Sequence, residues 1–118
     1  MSKELSMVEA LEAGLKATNV RQSLIANNIA NLNTPGFRRQ DVQFKEVLAK
    51  AIETGKVDPA ELEPKIVTPG VTEVNDQGSD VDMDMEVGEM LKTNGQYKMF
   101  VRMLAKEYQR MSMAIQTE

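Results

Sequence analysis

Two stretches, one near each end of the chain, repeat their apolar residues at alternating steps of three and four. In the first, Val8, Leu11, Leu15, Thr18, Gln22, Ile25, Ile29 and Leu32 keep this spacing, with only Thr18 and Gln22 polar. In the second, Val87, Met90, Asn94, Tyr97, Val101, Leu104, Tyr108, Met111 and Ile115 keep it, with only Asn94 polar. A period of 3.5 residues puts such side chains on one stripe of an α-helix, and that stripe has to be laid against a neighbour. The spacing therefore predicts a mainly α fold. Long N- and C-terminal helices pair as a coiled-coil-like antiparallel hairpin, joined by an irregular loop region.

The first helix is expected from about Lys3 to about Leu32, with Ser2 or Ser6 placed to cap its start and Pro35-Gly36 to stop it. The second is expected from about Asp82 to Gln116. Asp80, Asp82, Asp84 and Glu86 gather around its first turn, where carboxylates meet the positive end of the helix dipole. Gly95 weakens its middle by about 1 kcal/mol relative to Ala. A polar residue at one seam position commonly fixes register. Asn94 and Gln22 are the candidates, unless the seam is simply wet at those points.

Between the helices the pattern changes. Phe44 to Ile52 has the composition of a short helix, and residues 55–79 hold three prolines and three glycines without sustained periodicity. Ile66, Val67, Val71 and Val74 allow a short strand or a small β-hairpin. Residues 57–86 carry one basic and nine acidic groups, whereas residues 87–118 carry five and three. The connector is thus expected to be an acidic, solvated loop.

Several classes of chemistry are poorly served. The chain has no His and no Cys, so disulfides, thiolate nucleophiles and the usual transition-metal sites lack their residues. The run beginning at Asp80 suggests a calcium loop, but Met85 and Leu91 stand where its sixth-position Gly and twelfth-position Glu belong. A net charge of −4 does not suit nucleic acid. Arg38 and Arg39 read as a solvated pair after the turn rather than a phosphate contact. No glycine-rich phosphate cradle follows a strand. We expect no catalytic site, no cofactor, no metal and no membrane insertion. The N-terminus, broken by Glu4, Glu9 and Glu12, does not read as a cleaved signal peptide. Seven of the nine methionines lie between Met83 and Met113, which fits either a face that adapts to several neighbours or ordinary core filling.

The stretch "ANNIANLNTPGF", Ala26 to Phe37, places four asparagines in seven positions and then runs into Thr-Pro-Gly. Asparagine amides compete for nearby backbone groups and suit helix ends better than interiors. On a helix Ala26 and Ala30 stack one turn apart, as do Asn27 and Asn31. Small residues let another backbone come close, and the amides beside them both donate and accept. Thr34-Pro35-Gly36-Phe37 suits a type II turn. The stretch reads as an assembly surface or as local capping of a helix end.

Asn28, Ile29, Ala30, Asn31, Thr34, Pro35, Gly36 and Phe37 closely resemble the N-terminal signature of the flagellar rod and hook proteins. The following "RRQDVQF" and the later "VDMDMEV", with Asn94 and Tyr97, look like the proximal member of the basal-body rod family. The resemblance covers about residues 5–50 and 80–116. It implies a single rod-type domain over 1–118: an N-terminal helix at 1–33, a turn, short helix and variable connector at 34–80, and a C-terminal helix at 81–118. It further implies a structural subunit that polymerises through its terminal helices into the periplasm-crossing rod. Such a subunit leaves through the flagellar type III export apparatus. Implied partners are further copies of itself, FlgC-like and distal rod proteins, and a FliE-like adaptor to the MS ring. A cytoplasmic helical-hairpin adaptor or export chaperone would use the same seams.

Overall fold

The computed structural model describes residues 3–4, 6–44, 49 and 53–116. In chain order these form strand β1 (Lys3–Glu4), helix α1 (Met7–Ala30), strand β2 (Asp41–Gln43), strand β3 (Lys56–Val57), a 3-10 turn (Pro59–Leu62), strand β4 (Lys65–Val67) and helix α2 (Met83–Gln116). The molecule measures 65 × 29 × 17 Å, an elongated shape set by α2, whose 34 residues span about 51 Å. The short helix expected over Phe44–Ile52 falls for the most part outside the described residues.

α1 begins at Met7, not Lys3, because Lys3 and Glu4 pair antiparallel with Lys56 and Val57 instead of joining the helix. Ser6 is the cap, its hydroxyl accepting from Glu9 N at 3.1 Å. The helix ends at Ala30, ahead of Pro35. The Asn31 amide donates to the Asn27 carbonyl at 2.8 Å, and the last turn tightens, with Leu32 N bonding Ile29 O. The capping by an amide accounts for the early stop better than the proline does.

α1 and α2 pack antiparallel. The pairs Glu12–Tyr108, Gly14–Phe100, Gln22–Asn94 and Asn28–Glu86 run in opposite directions along the two helices. Gly14 is a true close approach: a Cβ there would lie 2.6 Å from the Phe100 ring. The two polar seam residues find each other, Gln22 Nε2 donating to Asn94 Oδ1. α1 is buried on a second side too. Ala13, Ala17 and Leu24 form the apolar core with Val42 and Phe44, flanked by Val20 and Leu62.

β2 and β4 form a two-stranded antiparallel sheet, with Val42 opposite Ile66. The strand at Ile66 and Val67 therefore exists, but its partner is the segment just after the first turn rather than a local hairpin. Val71 and Val74 lie outside it and are exposed. Such a sheet buries little; its use is to hold Val42 over α1.

The seam of α2 is rotated from the stripe its apolar residues suggest. Only Glu86 and Thr93 are buried, with Glu89, Met90, Gln96, Tyr97, Phe100, Leu104 and Glu107 partly so. At about 100° per residue these nine share one side of the helix. Val87 and Val101 stand beside that line and are exposed, while Tyr108, Met111 and Ile115 continue it from the Glu12 contact to the end of α2 and are exposed as well. Polar Glu86 and Thr93 take inner positions that apolar periodicity cannot nominate.

Thr93 carries one consequence. Its hydroxyl is fully buried and has no hydrogen-bond partner among the described residues. Thr93→Val keeps the shape and removes that unpaired group. It should stabilise the fold by about 1 kcal/mol, read as a raised urea midpoint at unchanged slope.

Candidate assembly site

The turn after α1 is built as its residues require. Phe37 N bonds Thr34 O at 3.1 Å and Gly36 has φ +73°, the type II geometry with Gly at the third position. A Cβ on Gly36 would meet nothing within 4 Å, so this glycine is there for its backbone angle and not for space. Thr34 Oγ1 donates to Asn31 Oδ1 at 3.0 Å, tying the turn to the helix end.

The turn lies against the entry to α2. Gly36 N donates to Gln77 O at 3.0 Å and Asp80 N to Phe37 O at 3.3 Å. Asn75 folds that entry on itself, its Oδ1 accepting from Gln77 N and Ser79 N. Gly78, at φ +83°, would put a Cβ 3.4 Å from Gly36 N. Arg38 is exposed and donates to Gly78 O, so it fastens the same contact from outside.

Beneath this contact is a buried polar latch. Asn28 is fully buried; its amide donates to Gln40 O at 2.9 Å and Glu86 Oε2 at 3.3 Å, and its oxygen accepts from Gln40 N at 2.9 Å. Arg39 Nε donates to Glu86 Oε1 at 2.7 Å, and Arg39 N to Asp80 Oδ1 at 2.5 Å. Arg39 is 5% exposed and Glu86 0%. Asp41 sits 3.9 Å from Arg39 and is held by Arg21 at 3.0 Å. Burial works against the Arg39 charge, but the hydrogen bond and charge of Glu86, with Asp41 and Asp80 behind it, raise its pKa above the ordinary value.

Arg39 is thus no solvated post-turn residue, and Asp80 and Glu86 do more than decorate a helix dipole. They join α1, the strand after the turn and the start of α2 through one guanidinium. The sequence offers a signal for this: Glu86 lies one heptad before Thr93 and two before Phe100, on the inner line of α2. A carboxylate there requires a buried cation.

The signature residues divide accordingly. Asn28 serves the chain's own fold and Asn31 the helix end. Ala30, Thr34, Pro35 and Gly36 are exposed, with Ile29 and Phe37 partly buried. Of the seam residues, Leu11 and Ile25 are buried, and Val8, Leu15, Leu32, Met90, Tyr97 and Leu104 partly so. Val87, Asn94, Val101, Tyr108, Met111 and Ile115 are exposed, though Asn94 and Tyr108 hydrogen-bond to α1. Among the described residues no cluster of acidic side chains could hold a metal ion, and no helix is long and apolar enough to cross a membrane.

A family model described as flagella basal body rod protein matches residues 9–38. This segment comprises most of α1, the turn and the first residue of the Arg38–Arg39 pair. The chain is 31% identical over 111 residues to flagellar basal body rod protein FlgB of Bacillus subtilis, covering 86% of each chain. It is 28% identical over 136 residues to FlgB of Escherichia coli, covering 94% of this chain and 99% of that one. A shorter likeness, 29% over 75 residues, joins it to flagellar hook protein FlgE of Treponema pallidum, where it spans 57% of this chain and 16% of the other. With such identity running through both helices and the segment between them, the chain belongs to the FlgB family of flagellar basal body rod proteins.

Proposed function

We propose that this chain is a structural subunit of the proximal rod, polymerising through its terminal helices into the shaft that crosses the periplasm and encloses the export channel. The observation that carries the reading is the apolar surface of α2 that α1 leaves uncovered. Val87, Val101, Tyr108, Met111 and Ile115 keep coiled-coil spacing, yet Ile115 is 73% exposed and the rest between 41% and 48%. A heptad stripe left in water costs solubility and specifies a missing helix. α1 covers neither the flank of α2 at Val87 and Val101 nor its end at Met111 and Ile115, and both are available to neighbours.

On this reading the neighbours are further copies of the chain, FlgC-like and distal rod subunits above, and a FliE-like adaptor below. The subunit reaches them through the flagellar type III export apparatus. Ala26, Asn27 and Ala30, exposed at the end of α1, offer a second surface where a neighbouring backbone approaches closely.

The test is made on purified basal bodies. The chain should be present in them, and Val101→Glu with Ile115→Glu should reduce its content by about tenfold or more, since a carboxylate buried in an apolar interface costs more than the interface gains there. Helix content of the purified variant should match that of the parent. Absence of the unaltered chain from basal bodies would overturn the reading.

A further inference from the structure

Within α2 three consecutive residues, Thr93, Asn94 and Gly95, are all poor helix formers. A packed helix tolerates such residues where a contact offsets each of them, and here two of the three lack one. A Cβ on Gly95 would meet nothing within 4 Å, so no neighbour in the chain requires a glycine there. Its backbone angle does not require one either, since Gly95 is not among the glycines with positive φ. The Thr93 hydroxyl is fully buried and has no hydrogen-bond partner among the described residues. Asn94 alone is matched, accepting from Gln22. The helix is fastened to the rest of the chain on both sides of this stretch. Before it, Glu86 is held by Arg39 and Asn28. After it, Phe100 rests against Gly14 and Tyr108 donates to Glu12.

We propose that Thr93–Gly95 is a joint, at which the C-terminal part of α2 changes its angle to the part held by the latch. A departure from local helix preference that brings no packing gain is the mark of a functional position. Each of the three residues suits a bend. Gly95 gives the backbone its freedom. A threonine hydroxyl can bond a carbonyl of the preceding turn, here that of Glu89 or Met90, and doing so bends the helix. The bent form thus supplies the partner that Thr93 otherwise lacks. Gln22 and Asn94 meet through two amides, a contact that re-forms after a small rotation where interlocked apolar side chains would not. The surfaces that α1 leaves uncovered lie on both sides of the joint, Val87 before it and Val101, Met111 and Ile115 after it. One bend therefore resets the angle between faces that different neighbours would meet. This use of the joint rests on the rod-subunit reading, whereas the joint itself is a property of the single chain.

Amide hydrogen exchange on the purified full chain reads the joint directly. Amides of residues 94–98 should be protected at least about tenfold less than those of the turns on either side, and Gly95→Ala should remove that difference. Protection that falls steadily from Glu86 to the end of α2, with no local minimum, would overturn the joint. Assembly reads its use. Gly95→Ala should lower the content of purified basal bodies severalfold although the free chain becomes more stable. Adding Lys92→Gly, at an exposed position in the same turn, restores backbone freedom while keeping the methyl at position 95, and should recover much of the loss. Failure of that rescue would overturn the use in assembly and mean that a neighbour needs the space at Gly95. Gly88→Ala, one heptad earlier and equally open, should leave the content unchanged, and an equal loss there would also overturn it. Absence of the unaltered chain from basal bodies would instead remove the rod reading, and the exchange pattern would still decide whether the joint exists.

Discussion

Glu86→Ala should cost about 3–5 kcal/mol of folding stability, the range expected when one member of a buried ion pair is removed. The cause is what the substitution leaves behind. Glu86 accepts from Arg39 and from Asn28, and both are themselves buried. Without the carboxylate, the Arg39 guanidinium keeps Asp41 at 3.9 Å and the charge of Asp80 but no short hydrogen-bonded partner, and must carry its charge in a site with little water. The Asn28 amide keeps its bonds to Gln40 and loses the one to α2. In urea the midpoint should fall by more than about 1 M. By contrast, removing Glu63 from its exposed contact with Lys16, or Glu107 from Arg110, should move the urea midpoint little. The control that isolates the buried charge is Arg39→Met with Glu86→Leu. Replacing both partners by apolar residues should recover much of the loss. A single variant as stable as the parent would mean that Arg39 swings out to water and that the latch holds nothing.

The latch also marks the limit of what periodicity can disclose. The two helices were legible because apolar side chains repeating every 3.5 residues mark one face of a helix, and both helices are present. Gln22 and Asn94 were legible as a pair of exceptions, and they bond to each other. Arg39 was not legible. Beside Arg38 and after a turn it has the context of a surface residue, and only the fold brings Glu86 to it from 47 positions away. The inner line of α2 was half legible, since Met90, Tyr97 and Leu104 belong to it. Glu86 and Thr93 complete it, and an apolar template passes over both. For the same reason the exposed stripe was read as a partner for α1. A helix with more apolar surface than one neighbour can cover gives a single sequence two seams, and spacing alone cannot assign them. Asn28 illustrates the remaining ambiguity: a buried amide and an interfacial amide have the same sequence signature, and burial decides between them.

Asn31→Ala together with Gly36→Val should abolish rod assembly while leaving expression intact. Each change acts at a different point of the same turn. Asn31 closes α1 through its bonds to Asn27, and receives Thr34 Oγ1. Alanine removes both anchors, at a cost of about 1 kcal/mol. Gly36 holds φ +73°, where a β-branched residue is a severe outlier, so valine forces the peptide to another geometry at about 1–3 kcal/mol. The displacement is transmitted. Gly36 N leaves Gln77 O, the bond from Asp80 N to Phe37 O is strained, and Arg39, two residues further on, no longer meets Asp80 and Glu86 in register. The start of α2 then loses its fixed angle to α1, and with it the orientation of every exposed residue that a neighbour would meet. Assembly multiplies this error across subunits, so a modest loss in the monomer becomes a complete loss in the rod. Gly36→Ala, which strains the turn less, should leave motility reduced but present. The readouts are swimming in soft agar and the content of purified basal bodies, with protein level in whole cells as the control. Normal swimming of the double variant would show that the turn is not what orients the subunit.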